Sequence, residues 1–217
     1  MRETIINKIK EEKLIVILRG ISREKLIPLA EAMYEGGVRL LEITYSANGS
    51  TPDEETADRI KLLSEHFDGR MFIGAGTVLT EKQVELTANA GGGFIISPDT
   101  SEAVIRKTRE LGLVSLPGSL TPTEIMNAHR FGADMVKLFP IGNLGVDYLK
   151  AVKAPLSHVD ILAVGGITLD NIPEYLKAGA CGFGISSSIA DKKLIDAEDY
   201  DGIRVLAQKY VNAAKGL

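Results

Sequence analysis

Residues 121–140 read Thr-Pro-Thr-Glu-Ile-Met-Asn-Ala-His-Arg-Phe-Gly-Ala-Asp-Met-Val-Lys-Leu-Phe-Pro, a helix, a turn and a strand in one stretch. Thr121 supplies a capping hydroxyl, and Pro122 suits the first turn of a helix over 123–131. Gly132-Ala133 stops that helix, and the apolar run 135–139 then reads as a strand. The same unit recurs along the chain roughly every 20–25 residues. Strands are predicted over 14–18, 39–44, 71–74, 93–97, 114–116, 135–139, 161–164 and 182–185. Helical patterns lie between them, as at 23–35, 53–66, 81–90, 101–110 and 169–178, with glycine turns such as Gly36-Gly37, Gly91-Gly92 and Gly179-Ala180 before the next strand. No linker, low-complexity segment or shift in composition divides the series, so residues 1–217 read as one domain. A continuous β-α alternation folds as an open doubly wound sheet or as a closed (β/α)8 TIM barrel, and eight strands favour the barrel. Helices over 3–12 and 200–215 add one element before the first strand and one after the last.

Composition narrows the function classes. A chain that is 45% hydrophobic and 25% charged has the balance of an ordinary soluble globular protein. Its net charge of −4 gives no reason to expect nucleic acid as a partner. The single cysteine, Cys181, excludes an intramolecular disulfide and suits a reducing cytoplasm. Its place after Gly179-Ala180, at a predicted strand start, reads as a small core filler. The first thirteen residues are charged throughout and lack the apolar core of a signal peptide, and no apolar run is long enough to span a membrane. Asn48-Gly49-Ser50 matches a glycosylation pattern but reads as a turn in a cytoplasmic protein.

Lys137 is the anomaly in the opening stretch. An ammonium costs several kcal/mol to bury unpaired, and losing its proton is the usual escape. The resulting amine is a nucleophile near neutrality, able to attack a ketone and form a Schiff base. The alternative is a lysine that snorkels from the strand end or pairs with a buried carboxylate. Side chains alternate along a strand, so Met135, Lys137 and Phe139 share one face. A helix-facing layer cannot hold a lysine, which turns Lys137 into the barrel interior. The same alternation puts Glu42 inward between Leu41 and Ile43, and Arg19 on the face of Ile15 and Ile17. Three ionisable groups thus converge on one end of the barrel, as a functional site or as a buried ion network.

Small residues surround them at the strand ends: Gly74-Ala75-Gly76-Thr77, Ser97-Pro98 and Pro117-Gly118 leave room for a ligand or form ordinary turns. The last two strands run into Gly165-Gly166-Ile167 and Ser186-Ser187-Ser188. Glycine amides, hydroxyls and a helix N-terminus there would hold a phosphate, in the place where barrels commonly hold one. Gly74-Ala75-Gly76 lacks the third glycine of a dinucleotide fingerprint. His66, His129 and His158 all fall in or beside helices, away from the strand ends where metal ligands would have to gather.

In order, Leu-Glu-Ile-Thr at 41–44, Gly-Ala-Gly-Thr-Val at 74–78, Ile-Ser-Pro at 96–98, Pro-Gly at 117–118, Lys-Leu-Phe-Pro at 137–140 and Gly-Gly-Ile at 165–167 resemble the 2-keto-3-deoxy-6-phosphogluconate / 4-hydroxy-2-oxoglutarate aldolase family. The resemblance runs from about residue 10 to the C-terminus and implies a (β/α)8 barrel, usually trimeric. It implies a class I lyase that needs no metal or other cofactor and cleaves a phosphorylated keto acid to pyruvate and an aldehyde. By motif, Lys137 becomes the Schiff-base lysine and Glu42 the general acid/base. Thr77, Pro98 and Phe139 line the pyruvate end, Gly165, Gly166 and Ser187 the phosphate end, and Arg19 is a further substrate-binding cation.

The chain departs from that pattern at three places. Ser46 stands where many relatives have arginine, Ala163-Val164 where many have Pro-Thr, and Ser186 where glycine is common. Ala163-Val164 and Leu18-Arg19-Gly20-Ile21 are similar to the 6-phosphogalactonate branch, which keeps the C4 epimer open as substrate. A phosphosugar isomerase would keep Glu42 and the phosphate turns without needing Lys137, and a non-catalytic barrel could bind phosphorylated acids alone.

Overall fold

A computed structural model describes residues 1–217. Nine strands form one parallel sheet: β1 (Leu14–Leu18), β2 (Leu40–Thr44), β3 (Phe72–Gly76), β4 (Phe94–Ile96), β5 (Val114–Leu116), β6 (Gly118–Ser119), β7 (Val136–Leu138), β8 (Ile161–Val164) and β9 (Gly182–Ile185). Their order in the sheet is β5-β4-β3-β2-β1-β9-β8-β7-β6. The two outermost strands, β5 and β6, are consecutive in the chain and separated only by Pro117. Asp134 N–H donates to the Ser115 carbonyl at 3.0 Å and Lys137 N–H to the Pro117 carbonyl at 2.9 Å, so the sheet nearly closes on itself. The expected eight strands become nine because proline has no N–H to give the ladder, and the run 114–119 breaks at that residue.

The helices lie between successive strands: α2 (Arg23–Glu35), α3 (Asp53–Phe67), α4 (Glu81–Asn89), α5 (Glu102–Glu110), α6 (Pro122–Phe131), α7 (Gly145–Lys153) and α8 (Ile172–Lys177), with α1 (Arg2–Glu12) before the sheet and α9 (Lys192–Asp196) and α10 (Tyr200–Lys215) after it. The opening stretch folds as read. Thr121 Oγ1 accepts the Glu124 amide at 3.3 Å while the Glu124 carboxylate accepts the Thr121 amide at 2.8 Å, a reciprocal cap that satisfies free donors at both positions. Gly132 ends the helix at φ 102°, a left-handed conformation that favours glycine. Two helices are not foreshadowed by the sequence pattern. α7 starts at Gly145 with no side-chain cap, and α9 is only five residues long.

Alternation along the strands divides the apolar residues into two cores. Val16, Leu18, Leu41, Ile43, Val136 and Leu138 face the helices. Ile15, Ile17, Leu40, Phe94, Val114, Met135 and Leu162 fill the interior, where Ile5 and Ile9 of α1 join them. The extra N-terminal helix therefore plugs the N-terminal end of the barrel. At about 25 cal/mol per Å² of apolar surface, each fully buried isoleucine there contributes about 1.5–3 kcal/mol. The opposite end is left open.

Candidate active site

The open end is where the charges lie. Arg19, Glu42, Thr77, Pro98, Lys137, Phe139, Gly165, Gly166 and Ser187, every residue expected at the site, line one cavity of about 360 Å³. They come from seven different strand ends, which only the nearly closed parallel arrangement brings together.

Glu42 is 1% exposed and Lys137 9%, so both ionisable groups are buried. Burial pushes the Glu42 carboxyl pKa up, against the pull of the Lys137 and Arg19 charges. Burial pushes the Lys137 amine down; Glu42 opposes that shift and Arg19 adds to it. The buried ion network that the sequence left open is not formed. Glu42 Oε2 is buried without a hydrogen-bond partner. Arg19 donates instead to Thr77 Oγ1 at 3.3 Å, and the Lys137 nitrogen lies 4.8 Å from the centre of the Phe139 ring. Thr77 has φ 56°, a left-handed conformation that a β-branched residue adopts only under constraint. Strain of this kind gathers at functional sites.

The far side of the cavity suits an anion. Gly165 and Gly166 have φ 88° and 75°. A side chain on Gly166 would begin 2.8 Å from Gly142 Cα, so the two backbones meet only without one. Asn171 Nδ2 donates to the Gly166 carbonyl at 2.9 Å, and Asn171 Oδ1 accepts the Thr168 amide at 2.9 Å, which ties the turn's carbonyl side into the protein. The amides of Gly166, Ser187 and Ser188 donate to no other backbone group. Here the sequence reading needs correcting: no helix begins at the serine turn. Ile189 and Ala190 amides close a single turn on the Ser186 carbonyl, and α9 starts later on its own cap, Asp191. Any anion held at this turn is held by loop amides and hydroxyls.

Other candidates lie elsewhere. Tyr45 is buried in the outer layer with its hydroxyl on the Gln83 carbonyl at 3.2 Å. Ser46 Oγ engages Asn48 and Ser50 in the following loop. That loop, Arg19 and Arg59 border a neighbouring cavity of about 430 Å³. His66 pairs with Glu31 and His129 meets His158 edge-on, both away from the cavity. No three or more His, Cys, Asp or Glu side chains converge anywhere. Burial pushes the Cys181 thiol up to about 12, as befits a filler.

The family model for KDPG and KHG aldolases matches residues 5–206. The chain belongs to that family. Among its relatives, a probable 2-dehydro-3-deoxy-6-phosphogalactonate aldolase of Rhizobium meliloti is 37% identical over 82% of either chain. A 2-dehydro-3-deoxy-phosphogluconate aldolase of Haemophilus influenzae is 31% identical over 98% of either chain. The KDPG aldolase of Legionella pneumophila, solved with pyruvate captured as a covalent carbinolamine, superposes with a TM-score of 0.82 at 28% identity and covers 92% of this chain and 94% of that one.

For a member of this aldolase family, the sequence reading missed two supporting residues, Thr168 and Asn171, and the structural role of a third, Ser186. Ser186 Oγ donates to the Ile17 carbonyl at 3.0 Å and joins β1 to β9 at the rim. Thr168 lines the cavity, and Asn171 secures the glycine turn beside it. Asn171 lies in a turn five residues past the glycine pair, a spacing that points to such a tie. Ser186 stands out in sequence as a departure from the family pattern, but nothing there points to its bond to β1.

Proposed function

We propose that this family member is a class I aldolase that cleaves 2-keto-3-deoxy-6-phosphogluconate to pyruvate and glyceraldehyde 3-phosphate through a Schiff base on Lys137. The observation that carries this reading is the pairing of a buried amine and a buried, unpartnered carboxyl in one cavity. A structural ion pair would have closed; this one holds both groups ready for a third. Lys137 Nζ, its pKa lowered by burial, attacks the C2 ketone. Glu42 moves protons through the carbinolamine, and loss of water leaves an iminium. The iminium draws in the electrons of the C3–C4 bond as Glu42, directly or through water, takes the C4 hydroxyl proton. The aldehyde departs, an enamine remains, and Glu42 returns a proton to C3 before hydrolysis frees pyruvate. Burial, which raises the Glu42 pKa, lets the carboxyl keep a proton more readily than an exposed one and hand it on, as this cycle needs.

Thr77, Pro98 and Phe139 shape the pyruvate end, and Arg19 offers a cation to the carboxylate or phosphate on the aldehyde side. Gly165, Gly166 and Ser187 take the terminal phosphate. The C4 epimer, 2-keto-3-deoxy-6-phosphogalactonate, is the second reading. It is favoured by Val164 in the cavity wall and by the similarity to the Rhizobium relative. The unphosphorylated 4-hydroxy-2-oxoglutarate is a further substrate of this type. We read β5, Pro117 and β6 as one interrupted strand of a single (β/α)8 domain over 1–217. The remaining readings are a homotrimer, which sedimentation tests, and a reducing, cytoplasmic setting.

Borohydride reduction in the presence of pyruvate, followed by peptide mass spectrometry, tests the chemistry. An adduct on Lys137 is expected; none there removes the Schiff base. Comparing kcat/KM for both phosphorylated epimers, the unphosphorylated acid and 4-hydroxy-2-oxoglutarate tests the substrate. Equal efficiency with and without phosphate removes the phosphate site.

A further inference from the structure

Two interior positions of β3, Gly74 and Gly76, carry no side chain, and neighbouring strands occupy the space above both. A Cβ on Gly74 would run into the Phe94 ring. A Cβ on Gly76 would fall inside the Glu42 carboxyl, overlapping Oε1 and Cδ and lying 2.6 Å from Cγ. The φ of Gly76 is outside the left-handed region, so its backbone would accept any residue. The three atoms nearest that Cβ all belong to the Glu42 side chain.

Register shows what this achieves. β2 and β3 are parallel, with Glu42 opposite Gly74 and Thr44 opposite Gly76. The Glu42 side chain therefore leaves the barrel wall level with Gly74 and leans one interior position toward the open end. It ends on the bare Cα that precedes Thr77, in the cavity that also holds Lys137. Buried Oε2 has no hydrogen-bond partner within the protein, and Oε1 is the atom nearest the place a Gly76 side chain would take.

We propose that Gly76 is a positioning residue for Glu42: its missing side chain is the seat that lets the carboxyl reach the reacting carbons. The inference rests on Glu42 being the proton shuttle. It predicts that Gly76→Ala leaves Lys137 present but displaces its proton-transfer partner. Turnover should fall by on the order of 10²–10⁴, the loss expected when a general acid/base is misplaced, with KM changing far less. Solvent deuterium uptake into the methyl group of pyruvate, followed by NMR, should fall with it, because that exchange needs proton transfer at C3 of the Schiff base but no cleavage of the C3–C4 bond.

The discriminating measurement is rescue. Aspartate is one methylene shorter, so Gly76→Ala combined with Glu42→Asp should exceed Gly76→Ala in both turnover and exchange. In a Glu42→Gln background, Gly76→Ala should cost little more. An equal loss in that background would mean that Gly76 acts on the fold and not through Glu42, overturning the proposal. Should Gly76→Ala alone fail to fold, its melting in a Glu42→Ala background decides: recovery supports the seat, and continued unfolding refutes it. Full activity of Gly76→Ala beside an impaired Glu42→Gln overturns this proposal alone. Full activity of Glu42→Gln removes the shuttle reading and this proposal together.

Discussion

The two ends of the barrel interior are made by the same strands, one interior position apart. Ile17 gives way to Arg19, Leu40 to Glu42 and Met135 to Lys137. On the closed side, isoleucines of α1 complete an apolar core, and nothing ionisable is needed. On the open side, two ionisable groups are buried, the charged form of each is disfavoured there, and one oxygen of Glu42 has no partner. The lower layer contributes stability and the upper layer costs it, which is the division expected where a site is built for chemistry. If that division is right, substitutions in the upper layer strike activity and those in the lower layer strike stability.

The largest effect should come from Lys137→Arg. Arginine keeps a cation in the same place but stays protonated and cannot attack a ketone. Turnover and pyruvate trapping should both vanish while circular dichroism remains that of the parent. Retained cleavage in a purified variant would break the comparison at its most charged point.

Legibility followed the same division. The sheet-helix alternation and the inward turn of Glu42 and Lys137 could be read because strand period is strict and a charge among aliphatic residues has few places to go. Caps such as Thr121-Pro122-Thr123-Glu124 are local, and they too were visible. What stayed hidden depends on distant partners. The left-handed Thr77, the split at Pro117 and the role of α1 as a plug all follow from closure of the sheet. The serine turn misled because a helix does follow it, but only after its own cap at Asp191. The presence of Glu42 at the site was legible, but its resting place on Gly76 was not, since that takes the lean of one side chain across a neighbouring strand.

Next in size is Glu42→Gln. Loss of the acid/base group should lower kcat by on the order of 10²–10⁴, while slow imine trapping on the untouched Lys137 survives. The substitution also has a pH signature in stability. Burial raises the folded-state pKa of Glu42 above its ordinary 4.5, so the fold favours the protonated carboxyl. That advantage is complete below about 4.5 and is lost as pH rises through the raised value. Glu42→Gln should therefore flatten the fall in stability across that interval, as read by denaturation at a series of pH values. Parallel curves for the two proteins would mean that the carboxyl titrates normally and is not buried in solution.

A smaller and more selective effect is expected at Gly166. Its positive φ and its 2.8 Å approach to Gly142 Cα leave no room for Gly166→Ala without opening the turn. Losing one hydrogen bond to a charged phosphate is worth about 1.5–3 kcal/mol, or roughly 10–150-fold in kcat/KM for the phosphorylated substrate. Pyruvate trapping, which involves no phosphate, should be unchanged. An equal loss for phosphorylated and unphosphorylated acids would show that the glycine turn supports the fold and binds no phosphate.

The smallest effect on turnover should come from the closed side. Ile9 is fully buried in α1, with the interior residues of the barrel around it. Ile9→Ala removes three carbons from that layer and leaves a cavity that the surrounding strands can only partly fill. Large-to-small changes of this kind cost about 2–5 kcal/mol, so the denaturant midpoint should fall clearly. Between Ile9 and the reacting groups lies a layer that includes Ile15, Leu40 and Met135, whose side chains hold the strands at their spacing. Closely packed layers transmit strain, and that is the one route by which the plug could disturb Lys137. If the layer absorbs the change, kcat and the pyruvate-trapping rate at a temperature where the variant is fully folded should match those of the parent. A drop in kcat comparable to that of Glu42→Gln would show instead that the strands carry the loss upward, and that stability and chemistry are not separable by depth in this barrel.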